Sequence, residues 1–163
     1  MTLAKIISGA QTGVDRGALD AALEFRFPCG GSCPPGRKAE DGAIPDRYPV
    51  QELASGGYRG RTIQNVVDSD GTLVVHFGEV EGGTAQTVLH CERLGKPCLT
   101  IDAAIIPMES AAMLVAAFIA ERHIESLNVA GPRASKDSHG YWYTRALMLE
   151  VLHATVSSSP STG

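Results

Sequence analysis

Twice in this chain a short apolar run ends in a glycine turn and opens directly into a helix-patterned segment. The first instance is Ile6-Ile7-Ser8-Gly9-Ala10-Gln11-Thr12-Gly13-Val14-Asp15-Arg16; the second is Gly71-Thr72-Leu73-Val74-Val75-His76-Phe77-Gly78 leading into Glu81-Gly82-Gly83-Thr84. Apolar runs without polar alternation suit strands buried on both faces, the habit of parallel sheets. Past the first turn, Val14, Ala18, Ala21, Ala22 and Phe25 fall on one stripe of a helix. Past the second, Thr84, Thr87, Val88, Cys91 and Leu94 do the same.

The grammar continues along the chain. Phe27 to Gly31 reads as a short strand, Lys96 to Ile101 as another with its proline tolerable at the start, and Ser126 to Ala130 as a third. Met108, Ala111, Ala112, Val115, Phe118 and Ile119 mark one helix, and Trp142, Ala146, Leu149, Leu152 and Val156 mark the last. Between them, Cys33 to Asp46 is dense in proline, glycine and charge, a long irregular excursion of the kind that is usually functional or disordered. Strands alternating with helices predict an α/β fold, a Rossmann-like three-layer sandwich around a mainly parallel central sheet. At 163 residues the expected arrangement is one domain over 1–156 and a disordered tail over 157–163.

Charge and cysteine spacing narrow the function. Fourteen Lys plus Arg against eighteen Asp plus Glu give a net charge of -4, the opposite of the basic footprint that duplex binding needs, so nucleic acid is not an expected partner. No uninterrupted apolar run reaches bilayer length, and Met1 to Lys5 carries no signal-peptide pattern, so a soluble cytoplasmic protein is expected. Cys29, Cys33, Cys91 and Cys98 lack the paired spacing of a zinc ribbon and read as reduced thiols, leaving no expected metal ligands.

In doubly wound sheets ligands bind beyond the carboxyl ends of the strands. Three polar, glycine-bearing segments stand there: Gly9 to Arg16, Gly78 to Thr84, and Gly131 to Lys136. The first fits neither the dinucleotide fingerprint nor the P-loop. Its glycines, the N–H groups of a helix start, and donors on Gln11, Thr12 and Arg16 suit an anion; a purely structural turn, with Asp15 favouring the helix dipole, explains it equally. Gly82 and Gly83 offer a second backbone cradle beside Thr84, or else a plain N-cap. Arg133 and Lys136 add cations, or simply a solvated loop.

Catalytic candidates are thin. His76 lies inside a strand and reads as a core histidine; His90, His123 and His153 lie on helices without partners at ligand spacing; His139 sits in a loop within reach of the site. Arg37 and Lys38 in the excursion are placed to close over the same ligand. Glu40, Asp41 and Glu81 are the candidate acids, and Cys29 or Cys33 a conceivable nucleophile lacking a base, so no catalytic residue is assigned.

The segments "IISGAQTGVDRGALDAAL", "GGSCPPGRKAEDGAIPDRYP", "DGTLVVHFGEVEGGTAQT", "GKPCL" and "LNVAGPRASK" together resemble the molybdenum cofactor carrier proteins, collinearly from about Ala4 to Val156. The resemblance implies a Rossmann-like homo-oligomer, a tetramer, that binds the molybdenum cofactor (molybdopterin), an anionic pterin, and shields it from oxidation, with molybdenum enzymes or cofactor biosynthesis proteins as partners. The matching cofactor-binding positions are Gly9, Gln11, Thr12, Gly13, Arg16, Gly82, Gly83, Thr84, Asn128, Gly131, Arg133 and Lys136. One position departs: the family more often has glycine where Ala10 stands, so a positive φ there would strain the alanine or reshape the turn. Related folds include nucleoside-monophosphate phosphoribohydrolases, with Gln86 near the place of their glutamate. The alternatives are therefore an enzyme acting on a nucleotide or nucleoside phosphate, and a nucleotide-sensing oligomeric regulator.

Overall fold

A computed structural model describes residues 3–157, except the side chain of Val156. Its centre is a five-stranded sheet of β1 (Lys5–Ile7), β2 (Cys29–Gly30), β7 (Gly71–His76), β8 (Cys98–Asp102) and β9 (Ser126–Ala130) in the order β2-β1-β9-β7-β8. Every neighbouring pair is parallel, with Ile6 beside both Cys29 and Leu127, and Thr72 beside both Asn128 and Cys98. The helices are α1 (Val14–Glu24), α2 (Gly57–Val67), α3 (Gly82–Leu94), α4 (Met108–Glu121) and α5 (Gly140–Ser157). The expected α/β class with a parallel sheet and covering helices is what the chain adopts.

One apolar cluster joins alternate sheet residues Ile6, Leu73, Val75, Leu127 and Val129 to Val14, Ala18, Ala21 and Ala22 of α1, to Ala111, Val115 and Ile119 of α4, and to Leu147, Met148, Val151 and Leu152 of α5. The opposite side, where α2 packs on α3, is more polar: Asn65, Thr72, Thr87, His90 and Asn128 are all buried. A second apolar cluster of Leu19, Cys33, Ala39, Ile44, Tyr48 and Val50 anchors the excursion. Rather than being irregular throughout, that segment carries the paired strands β3 (Ser32–Cys33) with β6 (Gln51–Glu52), and β4 (Lys38–Ala39) with β5 (Gly42–Ala43), joined by a single 3-10 turn.

Three expectations are corrected. Trp142 is 67% exposed, so the buried face of α5 is Leu147, Met148, Val151 and Leu152 rather than the stripe through Trp142. On α3, Leu94 faces outward and His90 inward. No element was expected over 57–67, where α2 stands. Of the tail, Ser157 belongs to α5 and 158–163 lie outside the described residues. Among the described residues no helix is long and apolar enough to cross a membrane.

Candidate functional site

The strand order decides where the three turns meet. β1, β9 and β7 are adjacent and parallel, so the segments leaving their carboxyl ends emerge side by side. Between them and α2 opens a cavity of about 460 Å³, within the size range of small-molecule sites. Its wall includes Gln11 from the first turn, Gly82, Gly83 and Thr84 from the second, and Gly131, Arg133 and Lys136 from the third.

The remaining expected residues lie outside that wall. Thr12 accepts a hydrogen bond from the Ala134 amide at 3.1 Å and donates to Glu40. Arg16 forks onto Asp41 at 2.6 and 2.8 Å while its Nε donates to the Ala10 carbonyl at 3.0 Å. At Gly13 φ is 86°, and a Cβ would stand 2.5 Å from the Pro132 carbonyl oxygen. Gly9 and Asn128 border a smaller recess of about 10 Å³ that shares Arg61, Thr62, Thr87 and Ala130 with the cavity wall, and Asn128 donates to Thr72 Oγ1 at 3.2 Å. Most of the first turn thus holds the protein to itself. Ala10 has φ 59° and is fully buried, so the alanine keeps the left-handed turn and bears its strain, on the order of 1 kcal/mol.

The excursion does not close over the cavity with Arg37 and Lys38. The Arg37 guanidinium donates to the carbonyls of Ile44, Pro45, Tyr48 and Val50, tying the segment's own ends together. The Lys38 carbonyl accepts from Gln11 Nε2 at 2.9 Å. Glu40 clamps the third turn by accepting from Ser135 Oγ at 2.5 Å and from the Ser135 amide at 3.2 Å. Of the candidate acids only Glu81 lines the cavity, where it begins α3 without a side-chain cap bond. Cys33 is buried and Cys29 half-buried, and burial raises both thiols, which disfavours a thiolate nucleophile. No described His, Cys, Asp and Glu residues cluster as metal ligands.

Two histidines depart from expectation. His76 lies on the cavity wall at the end of β7, its Nδ1 2.7 Å from the Gly78 carbonyl, rather than in the core. His90 lies on the same wall at 5% exposure, and its enclosed Nε2 has no hydrogen-bond partner among the described residues. His139 lies beside the cavity, with its ring 6.5 Å from that of Phe77, a wall residue.

The wall unforeseen in the sequence is α2, which contributes Tyr58, Arg59, Arg61 and Thr62. Arg61 lies across Gly9, where a Cβ would come within 2.3 Å of its Nη1. The same Nη1 is 3.3 Å from Asp15 Oδ2, and the Gln11 amide donates to that oxygen at 3.3 Å. Asp15 is 2% exposed, and burial pushes its carboxyl up to about 6 against the opposing pull of Arg61, the Gln11 amide and Arg16. Four cations, Arg59, Arg61, Arg133 and Lys136, thus share the wall with the acids Asp15, Glu79, Glu81 and Asp137.

The sequence profile of the circularly permutated YpsA SLOG family (cpYpsA) matches residues 6–152, which include every wall of this cavity. The chain belongs to that family. This cpYpsA chain is also similar to the crystal structure of the "Putative molybdenum carrier protein" from Syntrophus aciditrophicus SB, at 46% identity over 93% of this chain and 96% of that one, with a TM-score of 0.90. None of the curated proteins matches it. The resemblance read from the sequence agrees with both findings.

Proposed function

We propose that this cpYpsA chain is a carrier that binds the molybdenum cofactor, an anionic pterin, in the cavity beyond the carboxyl ends of β1, β9 and β7. The observation that carries the reading is the convergence there of an uncapped helix N-terminus with four cationic side chains. Exposed N–H groups at the start of α3 attract a phosphate, and a Cβ built on Gly82 or Gly83 would meet nothing within 4 Å, so a ligand has room to approach the backbone. The mixed charge of the wall suits a ligand with two kinds of edge. Cations hold its anionic groups, while carboxylates such as Asp15 and Glu81 accept from the amino and ring N–H donors of a pterin, and Phe77 offers an apolar face. The 46% identical structure of a "Putative molybdenum carrier protein" supports a molybdenum-related ligand.

The test is retention. Purified protein is loaded with molybdenum cofactor released from a molybdenum enzyme, passed through gel filtration, and scored for bound cofactor and for its survival in air. Saturable binding is expected, with at least about ten-fold weaker retention in the Arg133→Gln/Lys136→Gln double variant. Absence of saturable retention in the unaltered protein sinks the reading.

A hydrolytic reading draws on the acids Glu79, Glu81 and Asp137 in the same wall. It requires product from a panel of nucleotides and nucleoside monophosphates, lost in Glu81→Gln; no product leaves the carrier. Self-association is proposed on separate ground. Ile105, just after the sheet's edge strand β8, and Met113 and Leu114 of the following helix α4 are exposed apolar side chains suited to a homo-oligomer contact. Sedimentation that shows a monomer removes the expected tetramer.

A further inference from the structure

The cavity wall carries a further set of polar side chains that the start of α3, Arg133 and Lys136 do not account for. His90 stands two turns into α3, and Arg59 and Arg61 lie on α2 across from it. Two enclosed nitrogens of this set, His90 Nε2 and Arg61 Nε, have no hydrogen-bond partner among the described residues. Buried polar atoms are nearly always satisfied, because one left alone has lost its water without gaining a partner. Burial, aided by Arg59 and Arg93, lowers the His90 pKa and so favours the neutral ring, whose Nε2 donates in the tautomer that carries its proton there. Arg61 has one long contact to Asp15 at 3.3 Å, which leaves donors of its fork uncommitted. A compact acceptor bearing several oxygens would satisfy these groups together.

We propose that Arg59, Arg61 and His90 form a separate subsite for a tetrahedral oxyanion. The cavity then grips its ligand at two anionic points, one at the start of α3 with Arg133 and Lys136, the other between α2 and the middle of α3. The inference rests on the reading of this cavity as the ligand site, and it adds which residues would hold a second oxyanion group of that ligand. Neither group requires the other for binding, so free inorganic oxyanions should report each point alone.

Full-length protein is titrated calorimetrically with sodium molybdate and, separately, with inorganic phosphate and sulfate at constant ionic strength. Two equivalents per chain are expected for at least one of these anions. Arg133→Gln/Lys136→Gln should abolish one equivalent and spare the other. Arg59→Gln and His90→Leu should each weaken the spared one about ten-fold, with His90→Gln, which keeps a donor, recovering part of the loss. Arg59 is exposed, so Arg59→Gln carries the test should His90→Leu fail to fold. Preference for molybdate over phosphate and sulfate would assign the larger oxyanion to this subsite; equal binding would assign the general class. A single equivalent lost in the Arg133→Gln/Lys136→Gln variant, unchanged isotherms in Arg59→Gln, or no oxyanion binding at all overturns the subsite. Cofactor retained by a protein whose Arg59→Gln isotherm is unchanged refutes the subsite alone; oxyanions bound by a protein that does not retain cofactor refute the carrier reading alone.

Discussion

Two glycine turns that look alike in the sequence do opposite work in the fold. After β1, Gly13 lies with φ 86° against the third turn, and a Cβ there would meet the Pro132 carbonyl at 2.5 Å and the Ala134 amide at 2.9 Å. The polar residues around it are committed as well, Thr12 to Glu40 and Ala134, and Arg16 to Asp41. After β7, Gly82 and Gly83 begin α3 with open space where their side chains would be and no side chain capping the helix. A glycine thus marks close approach in the first place only. In the first the approaching backbone is the protein's own; in the second the space remains for something else.

The largest effect should fall on the first turn. Gly13→Ala forces a side chain into left-handed backbone and into the 131–134 segment, a combined cost of about 2 to 5 kcal/mol from strain and overpacking. Thermal unfolding should show that loss. A variant as stable as the parent would mean that the first turn is as open as the second, and the contrast would collapse.

Asp15 sharpens the contrast through pH. Its carboxyl is raised to about 6 from an ordinary 3.8, chiefly by burial. The folded protein therefore holds this proton more tightly than the unfolded chain, so the contribution to stability is fully present below about pH 4 and is lost as pH rises through 6. Asp15→Asn removes that dependence. The difference in stability between parent and variant should move in the parent's favour by on the order of 2 kcal/mol from pH 7 to pH 4, measured by unfolding at each pH. A flat difference would show that the Arg61 contact compensates the burial of the first turn's acid.

How much of this was legible follows from where each signal resides. The five strands of the central sheet and α1, α3 and α4 could be read because their apolar residues repeat at short range, whereas the two-residue strands β3 to β6 are too short to show a pattern. α5 was found but turned the wrong way: Ala146 and Leu149 are apolar beside Leu147, Met148, Val151 and Leu152, so two stripes fit and only packing chooses between them. α2 was missed because Gly56, Gly57 and Gly60 interrupt its start and only Asn65 and Val66 are buried along it. With α2 went one wall of the cavity, and with it Arg59 and Arg61. A usable signal existed, since Gly56 to Arg61 combines glycine with two cations within six residues, as Gly131 to Lys136 does. The carboxylate partners of Thr12 and Arg16 could not be read at all, because Glu40 and Asp41 lie 28 and 25 positions away in sequence.

A smaller effect tests the strap that holds the first and third turns together. Partial burial alone would raise the Glu40 carboxyl, but hydrogen bonds from Ser135 and Thr12 outweigh it and hold the group below its ordinary 4.5. Its contribution is therefore present above about pH 4.5 and is lost as pH falls further, opposite in sign to Asp15. Because Glu40 is exposed, Glu40→Gln should cost no more than about 1 kcal/mol at neutral pH. Unfolding of the parent and variant should converge in acid. A constant gap would mean that Glu40 acts by shape rather than charge.

The smallest change in stability, and the sharpest test of the second turn, is Gly83→Ala. Gly83 keeps an ordinary φ inside the first turn of α3, and a Cβ there meets nothing. Alanine should therefore stabilise the helix slightly, by about 0.5 kcal/mol, since it restricts the unfolded chain and suits the helix better. Ligand retention should move the other way, because the new methyl stands where a phosphate would meet the exposed N–H groups. Stability gained while cofactor binding falls separates the turn that binds from the turn that merely packs. If Gly83→Ala retains cofactor as well as the parent, the start of α3 is an ordinary helix end, and the anionic group must be held by Arg133 and Lys136 without it.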